Sequence, residues 1–310
     1  MSNLNIVALS DVHLRSSNPI ARKDNIVKTQ FKKLKFVFDY ADKHNCIILQ
    51  AGDFLDKARD WNLLIMLIEF FEKYPKVQMH CILGQHDSYF YSKTKGTTLG
   101  ILERMEIINI LTNSDTKNVI PYQINYGWNI YGNSWGEPLP IVKTKLQNNI
   151  LITHRSIADT QIYPGQKYTD PQNFLKSNPE YNLIIVGDIH RSFNYISSDG
   201  RHIVNTGPML RAEATEYNID HHTPHFWHFN IDNSNQLEGH IVSIPHKPSE
   251  EVLSRSHIIE RSDVDITEMS QLLDRVIDQG FEIKNIFSDN SIKPKTRRLL
   301  KEIYNNAKQG

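Results

Sequence analysis

Five short polar clusters in this chain carry side chains that bind divalent metals: Asp11-Val12-His13, Gly52-Asp53, Gly84-Gln85-His86-Asp87, Thr153-His154 and Gly187-Asp188-Ile189-His190. Aspartate and histidine with one glutamine make a hard to borderline donor set. Such a set suits Mn, Zn, Fe or Mg, whereas structural zinc favours thiolates. Taken singly, each cluster is what a turn after a strand would supply, because Asp and Gly dominate turns for conformational reasons. Taken together, and with histidine in four of the five, they point to a catalytic metal site.

Each cluster directly follows an apolar run with the character of a buried strand: Asn5 to Ser10, Cys46 to Gln50, Val77 to Leu83, Ile150 to Thr153 and Leu183 to Val186. In an open α/β sheet the carboxyl ends of the strands are where ligands bind, so five such clusters can meet in one crevice. Between the first two runs, Ile26, Phe31, Leu34, Phe36, Phe38 and Tyr40 fall among Lys28, Lys32, Lys33 and Lys35, which predicts an amphipathic helix with a basic outer face. A second helix is expected over Trp61 to Tyr74. Strands alternating with helices indicate a layered α/β domain. Further strands are expected within Tyr122 to Gly132 and over Arg201 to Asn205, Phe226 to Asn230 and Gln236 to Ser243, as antiparallel pairs completing a second sheet.

After Pro245 the composition becomes charged and helix-favouring, with helices expected near Ile266 to Gln279 and Lys293 to Asn306. This places a main domain at 1–245 and a small α-rich appendage at 246–310. In the appendage Ile266, Met269, Leu272, Leu273 and Val276 form an apolar stripe that packs on the main domain or on a partner. The thirty-five basic and thirty-five acidic residues balance, so any nucleic-acid footprint has to be local or come from a partner. Two local runs fit that role, Lys23, Lys28, Lys32, Lys33 and Lys35, and Lys293, Lys295, Arg297, Arg298 and Lys301, with solvated helix faces as the alternative. The two cysteines, Cys46 and Cys81, sit in apolar runs and read as core residues rather than a disulfide. Without a leader-like start or a run of about 18 apolar residues, a soluble cytoplasmic protein with no membrane association is expected.

The order of the clusters resembles that of the calcineurin-like metallophosphoesterases: Asp-X-His, Gly-Asp, Gly-Asn-His-Asp or Glu, His, and Gly-His-X-His. The resemblance spans roughly residues 4 to 210, about two-thirds of the chain. Asp11-Val12-His13-Leu14, Gly52-Asp53-Phe54-Leu55-Asp56 and Asn205-Thr206-Gly207-Pro208 look most like the SbcD-type DNA repair nucleases. The Asp-Arg-Gly that protein phosphatases carry after the second motif is missing.

This resemblance implies a layered β-sandwich flanked by helices and two divalent ions, Mn first and Mg as the alternative. Asp11, His13 and His190 would hold the first ion, Asp53 would bridge, and Gln85, His154 and Asp188 would complete the second. Gln85 stands where the family has Asn, and Asp188 where it has the first His of Gly-His-X-His. Both departures fall at the second ion, which therefore has an oxygen-richer donor set. His86 would act on the phosphate in the transition state or on the leaving oxygen, with Asp87 orienting its ring. The substrate implied is DNA, with an SMC-like ATPase of the SbcC type as partner and a homodimer as the assembly. The alternatives are a phosphodiesterase of a small nucleotide and a non-catalytic metal-binding scaffold.

Overall fold

The computed structural model describes residues 3–89, 94–111, 122–124, 127–142, 148–162 and 165–254. The chain divides into two compact units, Met1–Leu253 and Ser254–Gly310. The helices expected near 266–279 and 293–306, and the second basic run, lie outside the described residues.

In the first unit, β1 (Leu4–Leu9), α1 (Ile26–Lys43), β2 (Cys46–Gln50), α2 (Trp61–Phe71), β3 (Met79–Cys81), α3 (Thr98–Arg104) and β4 (Asn109–Ile110) follow in alternation. Then come β5 (Tyr122–Ile124), β6 (Trp128–Asn133), β7 (Asn148–His154), α4 (Pro171–Ser177), β8 (Leu183–Gly187), β9 (Phe193–Ile196) and β10 (His202–Asn205). The unit closes with α5 (Glu216–Asp220), β11 (His225–Ile231), β12 (Leu237–Ser243) and α6 (Ser249–Val252). Two six-stranded sheets result, ordered β12-β11-β1-β2-β3-β4 and β5-β6-β7-β8-β10-β9. β1 to β4 run parallel in the first sheet, and β6, β7, β8 and β10 in the second.

Alternation along the strands explains the layers. Ile6, Ala8, Leu49, Ala51 and Ile82 of the first sheet share one core with Ile130, Ile150, Ile152, Ile185 and Val204 of the second. The opposite face of the first sheet, including Val7, Leu9 and Ile48, is covered by helical residues such as Leu34, Phe38, Leu63 and Leu67. Leu151, Ile184 and Val186 on the outer face of the second sheet pack with Phe174 and Leu175 of α4. Strands buried on both faces read as continuous apolar runs, which is how they appear in the sequence.

Two expectations are corrected. The β11–β12 hairpin joins the first sheet, where β11 pairs antiparallel with β1, and β6 and β10 enter the second sheet parallel to β7 and β8. On α1, capped by the Asn25 side chain accepting from the Lys28 amide, Lys33 belongs to the buried face with Ile26, Gln30, Leu34, Val37, Phe38 and Ala41. Its ammonium donates to the Met209 carbonyl at 2.8 Å. A lysine at core spacing is buried when its charged end reaches a backbone acceptor, and the alkyl stem then packs like any apolar side chain.

Candidate metal centre

β1, β2 and β3 deliver Asp11, His13, Asp53 and Gln85 from the loops at their carboxyl ends, while β7 ends on His154 and β8 is followed by Asp188 and His190. Because these strands are parallel within their sheets, the clusters gather at one edge of the two-sheet core. The backbone there is unusual. Asp11 (φ 47°), His13 (φ 49°), Asp53 (φ 51°) and Asp188 (φ 98°) all adopt positive φ, which side chains with a Cβ avoid. Strain of this kind persists where the surrounding structure fixes it, and it clusters at functional sites. Gly84 permits the approach, since a Cβ there would fall 2.0 Å from Asp53 Oδ1.

Asp11, His13 and His190 form one group of candidate ligands, with 3.0 Å between the two Nε2 atoms and 3.7 Å from His190 Nε2 to Asp11 Oδ1. Asp53 Oδ2 lies 3.8 Å from His13 Nε2 and 3.4 Å from His154 Nε2, so its carboxylate stands between this group and the next. His154 Nε2 is also 3.9 Å from Asp188 Oδ1, and Gln85 Nε2 donates to that same oxygen at 3.1 Å. All seven residues assigned to the metals by resemblance are therefore linked, Asp188 through His154 and Gln85 through Asp188.

Three of these groups have buried polar atoms with no hydrogen-bond partner: Asp11 Oδ2, Gln85 Oε1 and His154 Nε2. Leaving such atoms unpaired costs free energy that a cation would recover. His154 makes the point most directly. Its Nδ1 contacts the Ala51 carbonyl at 2.7 Å, and a carbonyl only accepts, so Nδ1 carries the proton. The lone pair of the neutral ring then faces the Asp53 carboxylate, an arrangement that a proton or a metal ion between them resolves. Burial opposes charge on His154, but Asp53 and Asp11 outweigh it and hold the imidazole up to about 9. At His13 burial, reinforced by His190, lowers the imidazole to about 3 and so favours the neutral ring. Burial raises the Asp11 carboxyl, and at Asp53 the neighbouring His154 and His13 overcome burial to hold it low. The donor set and its unpaired atoms fit a divalent pair.

His86 is exposed. Its ring stands edge-on to His13, with centroids 5.0 Å apart, and its Nδ1 donates to the Asp56 carbonyl at 2.9 Å. That bond leaves Nε2 as the ring's free nitrogen. Asp87 does not orient this ring. It is fully buried, and its carboxylate accepts from the amides of Phe54 (3.2 Å), Leu55 (2.9 Å) and Gly84 (3.0 Å), clasping the two ligand loops together. Burial, then Asp53, pushes its carboxyl up to about 7, against the pull of those amides.

Sequence reasoning passes over three supporting residues. The Ser10 amide donates to Thr206 Oγ1 at 2.8 Å, and Ser10 Oγ donates to Asn205 Oδ1 at 3.2 Å. Asn205 Nδ2 donates to the Ile189 carbonyl at 2.8 Å, tying the Asp11 loop to the loop that carries His190. Their one signal is the Asn205-Thr206-Gly207-Pro208 run, which by itself reads as a turn. His222, His225 and His228, which crowd together in the sequence, instead serve packing and hydrogen bonding around β11.

A profile described as calcineurin-like phosphoesterase matches residues 4–192. The chain belongs to this family. Its members hydrolyse phosphoesters and use a dinuclear divalent metal centre, and the residues just described supply candidate ligands for one. No curated protein is similar in sequence. Among solved structures, the chain is similar to a dimetal phosphatase from Danio rerio at 11% identity and TM-score 0.48, covering 79% of this chain and 99% of that one. It is also similar to a 5′-nucleotidase precursor from Thermus thermophilus, at 12% identity and TM-score 0.41, covering 84% of this chain and 57% of that one. For the NAD nucleotidase of Haemophilus influenzae the values are 12% and 0.41, with 83% and 52% covered, so this phosphoesterase spans about half of each nucleotidase. Among the described residues no helix is long and apolar enough to cross a membrane.

Proposed function

We propose that this phosphoesterase is a DNA phosphodiesterase of the SbcD type, cutting the backbone endonucleolytically or as an exonuclease in repair or recombination. The observation that carries phosphodiester hydrolysis is the position of Asp53 Oδ2, between His13 at 3.8 Å and His154 at 3.4 Å. One carboxylate there could serve two cation positions. Asp11, His13 and His190 would hold the first ion, and Gln85, His154 and Asp188 the second, with Mn favoured over Zn because the second set is rich in oxygen. When bound, such a pair supplies a nucleophile from water near neutral pH and charge for the phosphate oxygens.

The remaining work belongs to the chain. The Asp53 and Asp11 carboxylates also fix backbone, accepting from the His86 amide at 2.9 Å and the Asp188 amide at 3.0 Å, so the ligands and the loops opposite are held in one geometry. His86, with Nδ1 engaged by Asp56, lines the cleft beside His13 and has Nε2 left to donate a proton to the leaving oxygen. Asp87 acts at one remove, by keeping the loops of Asp53 and His86 in register. DNA as substrate is supported by the SbcD-like motifs and by the exposure of Lys23, Lys28, Lys32 and Lys35. The partner would be an SMC-like ATPase, the assembly a homodimer and the compartment the cytoplasm.

A second reading draws on the Gln85–Asp188 hydrogen bond, which occupies part of the second site and suits a scaffold that binds one ion without hydrolysis. End-labelled single- and double-stranded DNA incubated with Mn decides between them. Cleavage by the wild type, abolished in Asp53→Asn and reduced at least about 100-fold in His86→Ala with metal still bound, is the expected result. One tightly bound ion and no hydrolysis of any phosphodiester would select the scaffold. Turnover of bis-p-nitrophenyl phosphate without DNA cleavage would select a small-molecule substrate.

A further inference from the structure

The candidate metal centre opens into a cleft of about 430 Å³, lined by His13, His86 and His190 together with Arg15, Arg191 and Tyr217. That is far more room than one phosphate group needs. The two guanidinium groups in it are differently engaged. Arg15 is ion-paired with Asp56. Arg191 is half-buried, and among the described residues no hydrogen bond or ion pair is found for it. Its Cζ lies 5.1 Å from the centroid of the Tyr217 ring. A ring face steadies a guanidinium electrostatically but takes up none of its five N–H donors. The carboxylates of Glu213 and Glu216 line the same cleft, and neither is ion-paired with Arg191. A supported guanidinium with its fork unengaged, one residue after His190, has the shape and charge to take a phosphate through paired N–H bonds.

We propose that Arg191, steadied by Tyr217, binds the phosphate next to the scissile one on a polynucleotide strand. The assignment rests on the phosphodiesterase reading and adds a requirement for a substrate carrying at least two phosphates.

Binding of fluorescein-labelled dT12 to the full chain, followed by anisotropy across a salt series in EDTA so that no cleavage intervenes, tests this. Arg191→Gln is expected to weaken binding about tenfold or more. It should also reduce the slope of log affinity against log salt by about 0.7, the value for one phosphate contact on a single strand. Arg191→Lys should keep the slope while losing part of the affinity, because the point charge remains and the fork is gone. An unchanged slope in Arg191→Gln overturns the proposal, even if its melting temperature falls, since a purely structural arginine would not alter counterion release. Absence of dT12 binding by the wild type overturns it equally. A wild type that binds with an Arg191-dependent slope but cuts no phosphodiester leaves the subsite standing and defeats the hydrolase reading. DNA cleavage with a slope indifferent to Arg191 does the reverse.

Discussion

At the scale of single residues, Gln85 and Asp188, the residues proposed for the second ion, are the ones that distinguish this chain from the family pattern. Gln85 offers its Oε1, now buried and unpaired, while its Nε2 is spent on Asp188. Restoring the pattern with Gln85→Asn and Asp188→His removes that hydrogen bond and replaces an oxygen donor by nitrogen. The double variant is expected to bind its second ion with a preference moved from Mn toward Zn, which metal analysis after competitive loading would read. An unmoved preference would mean that Gln85 and Asp188 are not ligands. The candidate ligands stood out in the sequence because Asp and His after apolar runs have few other uses in such numbers. The supporting role of Ser10, Asn205 and Thr206 was not legible there, since a turn-like run does not show which residue nearly 200 positions away it bonds to. Asp87 was visible as a residue but not in its role. Whether a carboxylate faces a ring or three amides depends on loops that only the fold brings together.

At the scale of elements, α1 carries its own test. Burial, helped by Arg211 and Arg22 and opposed by Asp24, lowers the Lys33 ammonium from 10.5 to about 7. Below pH 7 the lysine is protonated in folded and unfolded chains alike, and stability is indifferent to pH on its account. Between about 7 and 10.5 the unfolded chain holds the extra proton, so stability rises with pH, by an amount on the order of a few kcal/mol. Denaturant midpoints at pH 6.5 and 9.5 should therefore separate in the wild type by more than in Lys33→Met. Equal separation in both would show that Lys33 does not titrate in this range. The helix itself was readable from its 3.6-residue periodicity, yet the periodicity also puts Lys33 in the core stripe, and residue type argued the other way. Strands were readable as apolar runs. Their sheet was not, because β11 chooses β1 as its neighbour across more than 200 residues, and pairing at that distance is decided by the core.

At the scale of the whole first unit, the candidate ligands come from both sheets, so a bound ion pair would fasten one sheet to the other. Asp11 and Asp53 belong to loops of the first sheet, and His154, Asp188 and His190 to the second. Saturating Mn is expected to raise the melting temperature by roughly 5 to 10 °C, from about 2 to 3 kcal/mol of linkage at about 100 times Kd. It should also slow amide exchange at His86 and Asp188 together, since their N–H groups are bonded to Asp53 and Asp11. In Asp53→Asn both effects should be lost. Protection confined to one sheet's loops would contradict a shared centre.

The place of β1 in the middle of its sheet, between β2 and β11, has a consequence for how the protein is made. On the ribosome, β2 emerges within seconds of β1, but β11 begins at His225, more than 200 residues later. At about 5 to 20 residues per second that interval is roughly 10 to 45 s, during which one edge of an apolar strand has no neighbour. Such an edge is a template for pairing with other chains. Nascent chains arrested before residue 225 has left the tunnel should remain protease-sensitive around β1, and those arrested after Ser243 has emerged should not. The first strand of this unit is thus held open until nearly the last strand of the unit arrives, and over that interval the growing polypeptide is most in need of a chaperone.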